Sequence, residues 1–281
     1  MTTQITLANR FQALHDPASP LALANVWDVA SARVVAAAGA SAIATTSAGV
    51  AWGHGAADGN RLDRALMLDQ LARIVAAVDL PVTADIESGF GDTPGQVATT
   101  VARVLETGAV GVNIEDSHPA PASPDQPLRP IAEQATRLAA ARSAANHARI
   151  PLYLNARIDV FVHGVGEESG RLAETVDRAR AYLEAGASGV FVLGVTDPET
   201  IAALTGAIGA PVNVGGAPGA LSVAELGKLG VARVSMGARI AEAAYALVDR
   251  AARELLETGT YESVREAFAY PVINGLMKDG E

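Results

Sequence analysis

One pattern narrows the available architectures more than any other. From residue 21 onward, short apolar stretches rich in Val and Ile alternate with stretches of helical spacing. Strands are expected at 21–26, 42–46, 81–86, 110–115, 152–158, 189–193, 211–214 and 232–236. Between them, Ala-, Leu-, Arg- and Glu-rich segments predict helices at 31–38, 62–78, 97–106, 131–146, 172–184, 198–204, 223–229 and 238–258. A short amphipathic helix over 5–14, ended by Asp16-Pro17, precedes the first strand. Gly39, Gly108, Gly186 and Gly230 each follow a helix and suit a left-handed cap. Thr93-Pro94-Gly95-Gln96 reads as an N-cap, a first-turn proline and a capping-box glutamine. Eight strand–helix units in about 250 residues give the count and length of a (β/α)8 TIM barrel. The competitor is a doubly wound open sheet, which usually has fewer strands, and no Gly-x-Gly-x-x-Gly follows the first strand. The expectation is one barrel domain over 1–281, with a C-terminal helical extension from about 238.

The barrel fixes where to look for chemistry, because catalytic groups gather at the C-terminal ends of the strands and in the loops after them. Polar residues cluster there: Asn25, Trp27 and Asp28 after strand 1, Thr45, Thr46 and Ser47 after strand 2, Asp85 and Glu87 after strand 3. Strand 4 ends in Asn113, Glu115 and Asp116, strand 5 in Asn155, Arg157 and Asp159, and strand 7 in Asn213. If the strand at Pro81 runs to Glu87, alternation puts Asp85 and Glu87 on one face, and likewise Asn113 with Glu115, and Asn155 with Arg157 and Asp159. Carboxylates converging beside an apolar run are costly to bury without a positive partner. Hard oxygen donors with no His or Cys partner suit Mg²⁺ or Mn²⁺ better than zinc. Mg²⁺ takes one or two protein carboxylates and keeps several waters, so Asp85 is expected as direct ligand, with Glu87 and Glu115 acting through water. The competing reading is a set of rim ion pairs, with Arg157 bridged to Glu115 or Asp159 rather than offered to a carboxylate or phosphonate.

The small-residue turn expected at 45–50 offers hydroxyls and N–H groups to an anion or a developing oxyanion. Asp58 is either a further acid of the site or a turn former. His54, His118 and His163 fall in predicted loops and read as solvated side chains. The segment 117–130 carries five prolines, which exclude a helix, and a long loop after a barrel strand is expected as a lid.

Composition then removes whole classes. There is no cysteine among the 281 residues, which excludes disulfides, zinc–thiolate sites and thiol chemistry. A net charge of −10 argues against nucleic acid or an anionic membrane as partner. No basic-then-apolar leader and no spanning apolar run are visible, so a soluble cytoplasmic protein is expected.

Thr45-Thr-Ser-Ala-Gly-Val50, Ala84-Asp-Ile-Glu-Ser-Gly-Phe-Gly91, Val112-Asn-Ile-Glu-Asp116 and Asn155-Ala-Arg-Ile-Asp159 together resemble the isocitrate lyase/phosphoenolpyruvate mutase superfamily. Pro211-Val-Asn-Val214 and Val231-Ala-Arg-Val-Ser-Met-Gly237 fit it too, and the likeness runs in order from about residue 10 to 260. The resemblance implies a (β/α)8 barrel that assembles as a homo-oligomer, a dimer or a tetramer, with a C-terminal helix exchanged between neighbours. It implies a Mg²⁺-bound enolate or oxyanion of an α-keto or α-hydroxy acid. Asp85 matches the metal-binding aspartate, and Glu87 and Glu115 its water-mediated companions. Trp27, Thr46, Ser47, Ala48 and Asp58 match positions lining the substrate and metal pocket, and Arg157 and Asn213 positions contacting the substrate's anionic groups. The isocitrate and methylisocitrate lyases carry a Lys-Lys/Arg-Cys-Gly-His loop after strand 4, and the mutase branch a lysine and an asparagine there. This chain has neither, and Arg129 is the only basic side chain of Arg or Lys type between 117 and 130.

The function expected is a Mg²⁺-dependent carbon–carbon lyase or decarboxylase for a small 2-oxo or 2-hydroxy dicarboxylate, oxaloacetate-like or alkylmalate-like. Thr46, Ser47, Arg157 and Glu115 would be the catalytic groups. Carbon–phosphorus chemistry of a phosphonopyruvate hydrolase or mutase, and a non-catalytic carboxylate-binding barrel, are the alternatives.

Overall fold

Why the apolar strands close into a cylinder is visible in their pairing. The computed structural model describes residues 3–119 and 126–278. Its strands are β1 (Leu21–Leu23), β2 (Asn25–Val26), β3 (Ile43–Thr45), β4 (Val82–Asp85), β5 (Gly111–Glu115), β6 (Tyr153–Ile158), β7 (Gly189–Val192), β8 (Val212–Gly215) and β9 (Val231–Ser235). All pair in parallel, in the order β1-β9-β8-β7-β6-β5-β4-β3-β2. The first expected strand is interrupted at Ala24: its β1 half pairs with β9 and its β2 half with β3, so one run of chain joins the two ends of the sheet. Asn25 locks this seam, donating from Nδ2 to the Thr45 carbonyl at 2.9 Å and accepting from the Gly237 N–H at 3.0 Å. The architecture is the expected TIM barrel.

Helices lie between and around the strands: α1 (Gln4–Ala13), α2 (Val29–Ala37), α3 (Ser47–Gly53), α4 (Arg64–Ala76), α5 (Pro94–Glu106), α6 (Ile131–Ala148), α7 (Arg171–Glu184), α8 (Pro198–Ile208), α9 (Val223–Lys228), α10 (Arg239–Thr258) and α11 (Tyr270–Leu276). The capping box at Thr93 and Gln96 forms as expected, and Gly39, Gly108, Gly186 and Gly230 all take positive φ. Outward-facing strand residues such as Val82, Val112, Ile114, Leu154, Val190 and Val214 are buried under the helices in one apolar cluster. Each such side chain, fully buried, contributes about 1.5–3 kcal/mol. A second cluster fills the floor of the barrel, where Phe11 of α1 packs with Leu21, Leu23, Val110 and Tyr153. Among the described residues, no helix is long and apolar enough to cross a membrane.

Two local expectations are corrected. Residues 45–50 are not a simple turn: Ser47 opens the helix α3, with Thr46 as its extended N-cap. Gly49 permits this, since a Cβ there would stand 2.8 Å from Thr46 Cγ2 and 2.9 Å from Trp27 Cβ. The strand through Asp85 also does not reach Glu87. β4 ends at Asp85, and Glu87 (φ 50°), Gly89 (φ 97°) and Phe90 (φ 49°) turn through left-handed backbone. The turn is enforced from behind by Arg137 of α6, fully buried, which donates to the carbonyls of Ser88, Gly91 (2.8 Å) and Asp92 (2.9 Å). Strand alternation therefore does not place Glu87 beside Asp85; the turn does.

Candidate active site

The acids meet at the C-terminal rim of the barrel. Asp85, half-buried at the end of β4, accepts from the Ser47 hydroxyl at 3.3 Å and the Glu87 N–H at 3.2 Å. Its own N–H donates to Thr45 Oγ1 at 2.9 Å. Burial pushes its carboxyl above the ordinary range; Arg157 opposes this and Asp58 adds to it. Glu87 is buried, and its Oε2 accepts from the backbone N–H of Asn60. Burial raises it to about 7, with repulsion from Asp58 and Asp85 outstanding after the Asn60 N–H has acted. Asp58 is exposed on the loop that Asn60 fastens, close enough to both acids to be felt electrostatically.

Across from them, Arg157 of β6 joins Glu115 (Nη1 to Oε2, 2.9 Å) and Asp159 (Nε to Oδ1, 2.7 Å). The ion pairs weighed from the sequence thus form with both partners at once. Burial disfavours the charge on Arg157, but Glu115, Asp159 and Asp85 outweigh it and hold the guanidinium above its usual range. Glu115 is pushed upward by burial, opposed by Arg157 and reinforced by Asp159, Asp85 and Glu87.

Trp27, half-buried, and Thr46, buried, pack on either side of Gly49, and Ala48 is buried in the first turn of α3. Asn213 lies inside the barrel, its Nδ2 donating to Ser235 Oγ at 3.1 Å. His54 is exposed at the end of α3, and His118 is half-buried with its pKa lowered by burial and by Arg129. His163 is exposed but not solitary: its Nε2 lies 2.9 Å from Ser117 Oγ. Of the proposed lid, residues 120–125 lie outside the described residues; its base is tied by the Ser117–Leu128 bridge and the His118 N–H to the Pro127 carbonyl.

Sequence reasoning missed several residues that build this rim. Asn60, in left-handed backbone after Gly59, holds Glu87 by its N–H and Ser88 by its Nδ2, and its buried Oδ1 has no partner. The Asp-Gly-Asn run marks the turn, but nothing in it names the acceptor. Asp116, marked by the sequence as a strand-end acid but given no role, is fully buried, accepting from Arg178 and Tyr182 at 3.0 Å each and from the Asp159 N–H at 3.0 Å. Arg137 and Arg178 fall within expected helices and carry no local signal of their role, because their acceptors are distant in sequence.

Residues 11–256 match the phosphoenolpyruvate phosphomutase family. The chain belongs to this family, within the isocitrate lyase/phosphoenolpyruvate mutase superfamily. An uncharacterized protein of Mycobacterium tuberculosis is 40% identical over 228 residues, 81% of each chain. An oxaloacetate decarboxylase of Bradyrhizobium is 30% identical over 196 residues, 68% of this chain and 62% of that enzyme. A crystal structure of a candidate lyase/mutase from Burkholderia cenocepacia superposes with a TM-score of 0.89 at 42% identity, over 97% of this chain and 95% of the other. The family match covers all nine strands of the barrel.

Proposed function

We propose that this mutase-family protein is a Mg²⁺-dependent lyase that breaks a carbon–carbon bond in a small 2-oxo or 2-hydroxy dicarboxylate, with decarboxylation of an oxaloacetate-like acid ranked first. The observation that carries the reading is the rim itself: Asp85 and Glu115 face one guanidinium, Glu87 stands close enough to repel both acids, and burial lifts all three carboxyls above their ordinary range. The donor set fits a hard cation. Among the described residues no three His, Asp or Glu side chains stand close enough to hold a metal unaided. Mg²⁺ takes only one or two carboxylates from a protein and keeps several waters. Asp85 would hold it directly, and Glu87, Glu115 and Asp58 through water. Bound there, the ion supplies Lewis acidity to the substrate's α-oxygen and carboxylate.

The chain's own groups do the rest. Arg157 presents a planar donor to the substrate's carboxylate. Thr46, Ser47 and the Ala48 N–H face the charge that develops as the bond breaks. Trp27 and Asn213 would stand beside the substrate, and the Glu115–Arg157 pair keeps the guanidinium in place. Decarboxylation needs no protein base to break its bond, which suits a chain without cysteine. The likeness to the Bradyrhizobium oxaloacetate decarboxylase supports the same ranking. The assay is a panel of oxaloacetate, alkylmalates, methylisocitrate and phosphonopyruvate with Mg²⁺, following pyruvate, glyoxylate and phosphate. Pyruvate from oxaloacetate is expected. Phosphate release from phosphonopyruvate would sink the reading in favour of carbon–phosphorus chemistry, and Mg²⁺-dependent binding without turnover would leave a binding barrel.

A further inference from the structure

Behind Arg157 runs a chain of side chains that the proposed chemistry does not use. Arg157 Nε donates to Asp159 Oδ1 at 2.7 Å. Asp159, fully buried, takes the Ser117 hydroxyl on its other oxygen at 2.6 Å. Ser117 Oγ in turn lies 2.9 Å from Nε2 of the exposed His163. A serine hydroxyl has one proton to give, and an ionised carboxylate can only accept. With that proton committed to Asp159, the His163 contact is satisfied only if Nε2–H donates to Ser117 Oγ. The hydrogen-bond accounting therefore fixes the imidazole tautomer and a direction: His163 to Ser117, Ser117 to Asp159, with Asp159 accepting from Arg157 on its second oxygen.

The far end is anchored independently. The Asp159 N–H donates to Asp116 Oδ1 at 3.0 Å, and Asp116 is held by Arg178 and Tyr182. Asp159 has its backbone fixed from one side and both carboxylate oxygens engaged from others. The only exposed member of the chain is His163, where a change reaches Arg157 without entering the core.

We propose that His163 is a positioning residue for Arg157: its Nε2–H orients the Ser117 hydroxyl, which orients the Asp159 carboxylate that aims the guanidinium. A group that must meet a planar carboxylate bidentately loses binding when its own orientation loosens. The inference rests on Arg157 as the partner of the substrate's anionic group, and the experiment separates the two claims. Oxalate, a planar dicarboxylate with the shape of a 2-oxo acid's enolate, is titrated calorimetrically with Mg²⁺ in excess into the wild type, His163→Ala, His163→Gln and Arg157→Lys. His163→Ala is expected to bind oxalate about five- to tenfold more weakly, the scale of one lost hydrogen bond to a charged network. His163→Gln, whose amide can donate to the same hydroxyl, should stay within about twofold of wild type, with unchanged melting temperatures. Undiminished binding by His163→Ala alongside a large loss in Arg157→Lys overturns the role of His163 and leaves that of Arg157. Equal losses in His163→Ala and His163→Gln also overturn the donor role. Full affinity in Arg157→Lys, or no oxalate binding by the wild type, removes the reading on which the inference rests.

Discussion

Asp85 and Glu87 differ in how the fold holds them, and that difference sets what each substitution does. Asp85 ends a strand and is held by Ser47 and the Glu87 N–H, so Asp85→Ala removes an acid without removing a structural partner from the core. It is expected to abolish Mg²⁺-dependent turnover while circular dichroism and melting temperature stay close to wild type. Normal activity in that variant would place the metal elsewhere. Glu87 carries a pH signature. Its folded-state pKa, about 7 against an ordinary 4.5, means that the folded protein binds this proton more tightly than the unfolded chain. The associated stability is complete below about pH 4.5 and is lost as pH rises through about 7. Metal-free protein should therefore melt at lower temperature at pH 8 than at pH 6. Mg²⁺ should restore more stability at pH 8, where it no longer competes with the proton. Scanning calorimetry at both pH values, with and without Mg²⁺, checks this; a Mg²⁺ effect larger at pH 6 would contradict it.

Two elements were misread from sequence, and both are held by contacts between segments far apart in the chain. The helix α3 replaces an expected turn because Gly49 lets its backbone approach Thr46 and Trp27. Gly49→Ala places a Cβ under 3.0 Å from both and is expected to cost about 1–3 kcal/mol in urea unfolding, with reduced activity from the displaced Thr46 and Trp27. The turn after β4 depends on Arg137, whose guanidinium satisfies three backbone carbonyls from a helix some 45 residues away. Arg137→Leu strands those carbonyls and should destabilise the protein by about 3 kcal/mol or more. It should also lower Mg²⁺ affinity, because Glu87 sits in that turn. An unfolding midpoint close to wild type would show the turn to be self-supporting. Spacing showed the glycines and the capping box plainly, since both work within a few residues. It could not show Arg137, whose sequence neighbours describe an ordinary helix.

At the scale of the whole molecule, the C-terminal helices present a face that the barrel does not cover. Of the 20 residues of α10 only Ala241 is buried, while Val248 (63%), Leu256 (84%) and, beyond the helix, Tyr270 (77%) stand exposed. A helix this amphipathic keeps its structure by burying its apolar side. We propose that a second copy of the chain supplies the cover, in a homo-oligomer with its C-terminal helix exchanged between neighbours. Sedimentation velocity should show a dimer or tetramer, and Val248→Glu with Leu256→Glu should shift it toward monomer. A wild-type monomer at micromolar concentration would reject the assembly.

The sequence by itself pointed to the barrel, because strand and helix are local patterns of period two and period three to four, and eight repeats of them in about 250 residues are the count and length of a closed (β/α)8 sheet rather than a shorter open one. It also determined which acids and which arginine reach the rim, because polar residues at strand ends break those patterns where packing cannot explain them. Tertiary structure alone decided how Glu87 turns toward Asp85, that Arg157 is clamped by two carboxylates, that Asn60 and Arg137 hold the turn after β4, and that Asp116 and Ser117 tie Asp159 to Arg178 and His163. For most of these the reason is range: a hydrogen bond such as Asn60 to Glu87, 27 positions apart, or Arg178 to Asp116, 62 apart, leaves no periodic trace, and only the closed barrel brings its donor and acceptor together.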